Sequence, residues 1–335
     1  MKSTLSAILV TLALGVLFVS CKKSDTGVNP NANLYPVTAT VLNPAGTPQG
    51  GAILKLKGKA DDDPVFAAIT DSTGTATIKA PTGQQTLVAK MGSVFQTEFN
   101  VNVQASQNGT IVTQPVKLQQ NTSLKVLVVQ ASAEELEDVL RDPVIGFSVF
   151  DSISVYALND SVAADSNRVL NYLKQYTLIF SDCDGGSEYN YAPLARVYGR
   201  YINGGGKIYG GHYNFYHLQK IFNPYYTHRD YQSPSVDSIS IVDSKLSSYL
   251  GFTVARWTSS DSRELSGYEK FSNLPSGAKV YAVIRGTSPS VAVIVGNDLG
   301  LGKYLWTDYH NQDVINATRR DPRLVKIVQY FLYSL

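Results

Sequence analysis

The residues able to do acid–base or nucleophilic chemistry collect in three short segments. The first is Ser181-Asp182-Cys183-Asp184-Gly185-Gly186-Ser187-Glu188. The second is Gly210-Gly211-His212-Tyr213-Asn214, and the third is Thr307-Asp308-Tyr309-His310-Asn311-Gln312-Asp313. A thiol beside an imidazole base can attack a carbonyl carbon, so Cys183, His212 and His310 are the candidate catalytic residues. Against this, Asp182 and Asp184 flank the thiol. Negative neighbours raise a thiol pKa above its usual value of about 8.5 and thin out the reactive thiolate. The other reading of Cys183 is a small residue packed beneath its loop.

His212 and His310, joined by Glu188 or Asp308, would also suffice for a catalytic zinc with three protein ligands. No local His spacing supports this, since His212 and His217 are five apart and a helix does not bring them squarely onto one face. Histidines hydrogen-bonded within polar loops are the alternative, and the expectation is no metal and no cofactor. Asp182, Asp184, Glu188, Tyr213, Asn214 and Asp308 are then candidate ligand contacts. Aromatics crowd the same region, with twelve Tyr and Phe between Gly185 and Tyr231. They read either as packing under long loops or as a surface for glycan or protein, where rigid amphipathic rings make good contacts.

Each chemical segment follows a short apolar run that suits a buried strand: Thr177–Phe180, Lys207–Tyr209 and Lys303–Trp306. Leu124–Val129, Ile153–Leu158, Val280–Ile284 and Val291–Val295 are further candidate strands. Helical spacing marks Ala133–Leu140, Asp165–Leu173, Leu194–Ile202 and Arg323–Leu335. Asn203-Gly204-Gly205-Gly206 supplies a left-handed stop for the third of these. Strands alternating with helices predict a mostly parallel sheet with helices on both faces over residues 123–335. Ligands of such sheets bind at the carboxyl ends of the strands, where the three segments fall. Gly296–Gly302 lies between strands and reads as a hairpin rather than a phosphate cradle, which would open a helix.

Residues 34–120 carry a different pattern. Seven short runs, Tyr35–Leu42, Ala52–Lys57, Val65–Thr70, Thr75–Lys79, Thr86–Lys90, Phe95–Val103 and Thr110–Leu118, are separated by Gly, Pro and Asn turns. That spacing predicts an all-β sandwich of seven strands. Asp61-Asp62-Asp63 lacks the spaced pattern of a calcium loop and reads as a solvated turn.

The blocks Gly46-Thr47-Pro48-Gln49-Gly50-Gly51-Ala52, Thr70-Asp71-Ser72-Thr73-Gly74 and Pro81-Thr82-Gly83, with the strand to Lys90, resemble the carboxypeptidase regulatory-like, or transthyretin-like, domain. Gln85 stands where that family usually has an aromatic. The resemblance implies a spacer or contact module. The order of elements in 123–335, with Phe180–Gly186, Tyr201–His212 and Gly300–His310, resembles the class I glutamine amidotransferase-like superfamily. It implies a flavodoxin-like sheet. That family needs a Cys at the elbow, a His, and an acid two residues later. The corresponding positions here are His212, His310 and Gln312. The resemblance therefore implies a domain without the nucleophile and without glutamine hydrolysis by that route. An elbow His also occurs in trehalose-utilisation-like relatives, which fits a binding role.

At the start, Lys2 precedes an apolar stretch over residues 5–19, too short for a span of about 20 residues and suited to a signal-peptide core. Phe18-Val19-Ser20-Cys21 resembles the bacterial lipoprotein signal, which implies lipidation of Cys21 and a membrane partner through that anchor. Residues 22–33 are polar and read as a tether. Lys and Arg total 29 against 27 Asp and Glu, a net charge of +2, which argues against a nucleic-acid partner bound through bulk charge. Two cysteines, Cys21 and Cys183, exclude a disulfide framework. The expectation is an outer-membrane lipoprotein facing periplasm or exterior, used for binding or assembly with a glycan or envelope protein. The alternative is a hydrolase on glycans or amides using His212 and His310.

Overall fold

The computed structural model describes residues 33–132, 134–183, 191–223, 238–256, 274–275, 277–285, 292–308 and 325–334, with backbone alone at Tyr191, Tyr213 and Val293. In the first part of the chain, apolar and polar residues alternate, the signature of strands with one dry face. They form β1 (Leu34–Leu42), β2 (Ile53–Leu56), β3 (Ala67–Ile69), β4 (Thr75–Pro81), β5 (Gly83–Met91), β6 (Phe95–Val103), β7 (Thr110–Ile111) and β8 (Val116–Lys117). One sheet has the order β4-β1-β7, with β8 also on β1, and the other has the order β3-β2-β5-β6. Val37, Ala39 and Ile78 from the first pack with Leu54, Leu87 and Val101 from the second.

Thr110–Leu118, expected as one strand, is two, so the unit has eight strands rather than seven. Both halves run parallel to β1, with Thr110 opposite Val37 and Val116 opposite Val41. Pro115 lies between them and has no N–H for the ladder. The turns that carry the family resemblance interlock. Thr70 Oγ1 donates to Gln49 O at 2.6 Å and accepts from Ala52 N at 2.9 Å. Asp61 bridges Lys55 and Lys90, at 2.5 and 2.7 Å. Among the described residues no group of His, Cys, Asp and Glu is placed to hold a metal.

The second part is mixed α/β. Its elements are β9 (Val126–Gln130), α1 (Leu136–Arg141), β10 (Asp151–Ser154), α2 (Val155–Ala164), α3 (Ser166–Leu173), β11 (Leu178–Ser181), α4 (Tyr191–Asn203), β12 (Lys207–Gly210), α5 (Phe215–Ile221), β13 (Ser238–Ile241), α6 (Ser244–Leu250), β14 (Val254–Arg256), β15 (Lys279–Ile284), β16 (Ala292–Leu299), β17 (Gly302–Thr307) and α7 (Val325–Tyr333). They make a 9-stranded sheet of order β10-β9-β11-β12-β17-β16-β15-β13-β14.

β10 to β17 in that order are parallel. From β17 outward to β14 every pairing is antiparallel. The expected mostly parallel sheet is therefore half antiparallel, because β16 turns directly into β17 at Gly300, with no crossover helix to reverse the chain. Helices cover both faces. Val126 and Val128 pack with α1, α6 and α7, while Leu127 and Val129 pack with α2, α3, α4 and α5.

The expected strand Ile153–Leu158 stops at Ser154. The Ser154 side chain accepts the N–H of Tyr156 and caps a helix that begins at Val155. The two units share a core: Phe95 meets Phe147 and Tyr333 edge-on, with centroids 5.4 and 5.3 Å away. Gly92, at φ +58°, lies against the Tyr333 carbonyl, leaving no room for a Cβ.

Candidate functional site

Four neighbouring parallel strands, β9, β11, β12 and β17, end side by side. Their carboxyl ends deliver Glu134, Asp182 with Cys183, His212 with Asn214, and Asp308. Cys183 Sγ lies 3.8 Å from His212 Nδ1, and His212 Nε2 lies 3.8 Å from Asp308 Oδ1. The ring thus faces a thiol on one side and a carboxyl on the other. Of the residues expected here, Cys183, His212, Asp182, Asn214 and Asp308 come together. Tyr213 belongs by backbone to a single 3-10 turn, His212–Asn214. Cys21, Asp184, Glu188 and His310 lie outside the described residues.

The elbow after β12 is built on close approach. A Cβ on Gly210 would come within 2.8 Å of Asn214 Cβ and Tyr304 Oη, and one on Gly211 would overlap the Glu134 carboxylate. Glu134 Oε2 in turn accepts the N–H of Cys183 at 3.0 Å. Sequence reasoning passed over Glu134, although it lies in the loop after the first parallel strand, where the same carboxyl-end rule applies.

Asn214 ties the loops together. Its Nδ2 donates to Ser181 O and Asp182 O at 2.9 and 2.7 Å. Its Oδ1 is then the acceptor facing His217 Nδ1 at 3.0 Å. His217 therefore carries its proton on Nδ1. Burial pushes its pKa down to about 3, so the ring is neutral. Trp306 Nε1 donates to His212 O at 2.8 Å and fixes the turn from β17.

Two of the carboxyl groups, Asp182 and Asp308, are pushed above the usual carboxylate range. Burial, with the charges of Glu134 and Glu137 behind it, pushes Asp182 up to about 9, although the N–H groups of Leu136 and Ala131 bind its oxygens and pull the other way. Burial also pushes Asp308 well above the usual carboxylate range. Asp182, so raised, brings less negative charge to the thiol than its place in the sequence suggests, while the Glu134 carboxylate stands on the Cys183 N–H. Cys183 is 0% exposed, His212 5% and Asp308 1%. Tyr198, Tyr201, Tyr209, Phe215 and Phe222, from the aromatic-rich stretch, are buried in the two cores.

No family model matches the chain, and no curated protein matches it. Solved structures are similar in part. A provisionally named GMP synthase subunit from Thermoplasma acidophilum has 14% identity and a TM-score of 0.42, over 63% of this chain and 94% of that one. A cytoplasmic protein of Salmonella typhimurium LT2 has 12% identity and a TM-score of 0.39, over 63% of this chain and 97% of its own. A β-galactosidase of Rahnella sp. R3 has 12% identity and a TM-score of 0.36, over 63% of this chain and 30% of its own.

Proposed function

We propose that this chain is a cell-envelope lipoprotein for binding or assembly, anchored through Cys21 in the outer membrane. In this reading a carboxypeptidase regulatory-like β-sandwich carries a flavodoxin-like, amidotransferase-like domain that is not catalytic. The supporting observation is the burial of the thiol with both of its partners. Reactive cysteines occupy electropositive and partly exposed settings, whereas buried ones are inert. Cys183 is fully buried, and its N–H, a natural oxyanion donor, is already bound to the Glu134 carboxylate. The cluster then braces four strand ends beneath a binding surface.

The test is thiol chemistry in a Cys21→Ser chain. Cys183 should resist iodoacetamide from pH 7 to 9 in the folded state and react fully once unfolded. Rapid native labelling would overturn the reading.

One observation favours a second reading. The line of Cys183, His212 and Asp308 suits a thiol hydrolase acting on amides, since such contacts are often long before substrate binds. His212 would take the thiol proton, and sulfur would bond to the carbonyl carbon. The C–N bond would break as His212 protonates the nitrogen, and water would then release the acid and restore the thiol. Amide hydrolysis lost in Cys183→Ser would establish it.

A further inference from the structure

A cleft of about 1030 Å³ runs between the two units. It lies apart from Cys183, at the top of the size range of small-molecule sites, roughly 300–1,000 Å³. The first unit contributes Gln49, Gly50 and Gly51, the turn that interlocks with Thr70. The second contributes Lys245, Tyr249, Lys326 and Tyr330.

The walls are set in advance. Asn43 holds Thr47 from both ends of its side chain, at 2.6 and 3.0 Å. Gln329 accepts from Tyr249 Oη at 3.0 Å and donates to Val144 O at 2.7 Å. Preorganised walls of this kind lower the cost of binding. Tyr249 and Tyr330 stand 5.3 Å apart, tilted by 49°, both half-buried. A sugar ring offers an apolar C–H face to such rings and a hydroxyl edge to amides and serines.

Charge narrows the class. Lys245 and Lys326 are exposed, and among the described residues no Asp or Glu lines the cleft. Neither ammonium has a carboxylate at ion-pair distance among the described residues; Asp243, beside the cleft, pairs with Lys279 at 2.7 Å and its charge also reaches Lys245 and Tyr330. The two lysines alone would suit an acidic peptide as well, and it is the Tyr249–Tyr330 pair that favours a sugar.

We infer that this cleft binds an acidic oligosaccharide, its uronate carboxylates on Lys245 and Lys326 and a sugar face on Tyr330. The inference deepens the binding reading above and rests on it.

Calorimetry on the full chain tests it with oligogalacturonate, oligomannuronate and hyaluronan oligosaccharides, their carboxyl-reduced forms, and oligoglutamate. At least one uronide should bind. Lys245→Ala with Lys326→Ala should weaken it at least tenfold, Tyr330→Ala should weaken it too, and the reduced form should bind at least tenfold less. Both lysines are exposed, so the double variant should keep its melting temperature. Failure of every uronide, equal binding of the reduced form, or binding of oligoglutamate alone overturns the inference. Uronide binding that ignores the lysine substitutions overturns this site and leaves the binding reading standing. Amide hydrolysis dependent on Cys183 would instead overturn the binding reading itself.

Discussion

The carboxylate of Glu134 fills the space where a side chain on residue 211 would stand. The loop after β9 and the elbow after β12 are therefore fitted to each other across β11. Gly211→Ala should cost about 1–3 kcal/mol, the usual penalty of forcing extra volume into a packed site. Urea unfolding measures it. Glu134→Ala in the same chain should recover part of the loss, a non-additivity expected of touching residues.

Asp182 sets an alkaline weakness. Its folded pKa, about 9, is raised from 3.8. The folded state therefore holds a proton that the unfolded state has released, so stability falls as pH rises from about 4 to about 9. The slope of one such group reaches about 1.4 kcal/mol per pH unit. Asp308 acts in the same direction. Asp182→Asn should flatten the decline. It should also cost about 1 kcal/mol at pH 5, because an amide can accept from only one of the two N–H groups of Ala131 and Leu136 with its single oxygen. Melting temperatures from pH 5 to pH 9 test both halves.

His217 sets the opposite limit. Its pKa falls from 6.5 in the unfolded chain to about 3 in the fold. Here the unfolded state binds the extra proton, so stability drops as pH falls from 6.5 towards 3. His217→Gln should make the protein less sensitive to acid in that window. An unchanged acid limb in equilibrium unfolding would show that the ring titrates freely.

Phe95 should hold the two units in one cooperative fold. Phe95→Ala removes both edge-on ring contacts and should cost about 3–5 kcal/mol. Calorimetry should then resolve two transitions where the unaltered chain shows one.

Much of the frame was legible because its signals are local. Alternation marked β1, β4 and β6, and continuous apolar runs marked β9, β11 and β12. The misses have physical causes. Val155-Tyr156-Ala157-Leu158 has strand-like composition, but the Ser154 cap makes it helix. Asp243 and Gly251 cap α6 at both ends, Gly251 at φ +74°, yet its Ser-rich face hid the helical period. Phe215–Ile221 was hidden by its aromatics, which are core here. At the candidate site, the carboxyl-end rule brought out Cys183, His212 and Asp308, while Glu134, under the same rule, was hidden in the helical spacing of Ala133–Leu140, of which the structure makes helix only from Leu136. The protonation of Asp182 depends on burial, which no local pattern carries.

Met91, Val94 and Phe95 belong to the same buried cluster as Phe331, Leu332 and Tyr333 of α7. Wherever the chain folds, the first unit closes an apolar patch of its own only when α7 docks on it. Until then that patch is uncovered, the kind of surface that aggregates or recruits chaperones. A chain truncated before Val325 should therefore be sticky, and one that carries α7 should not.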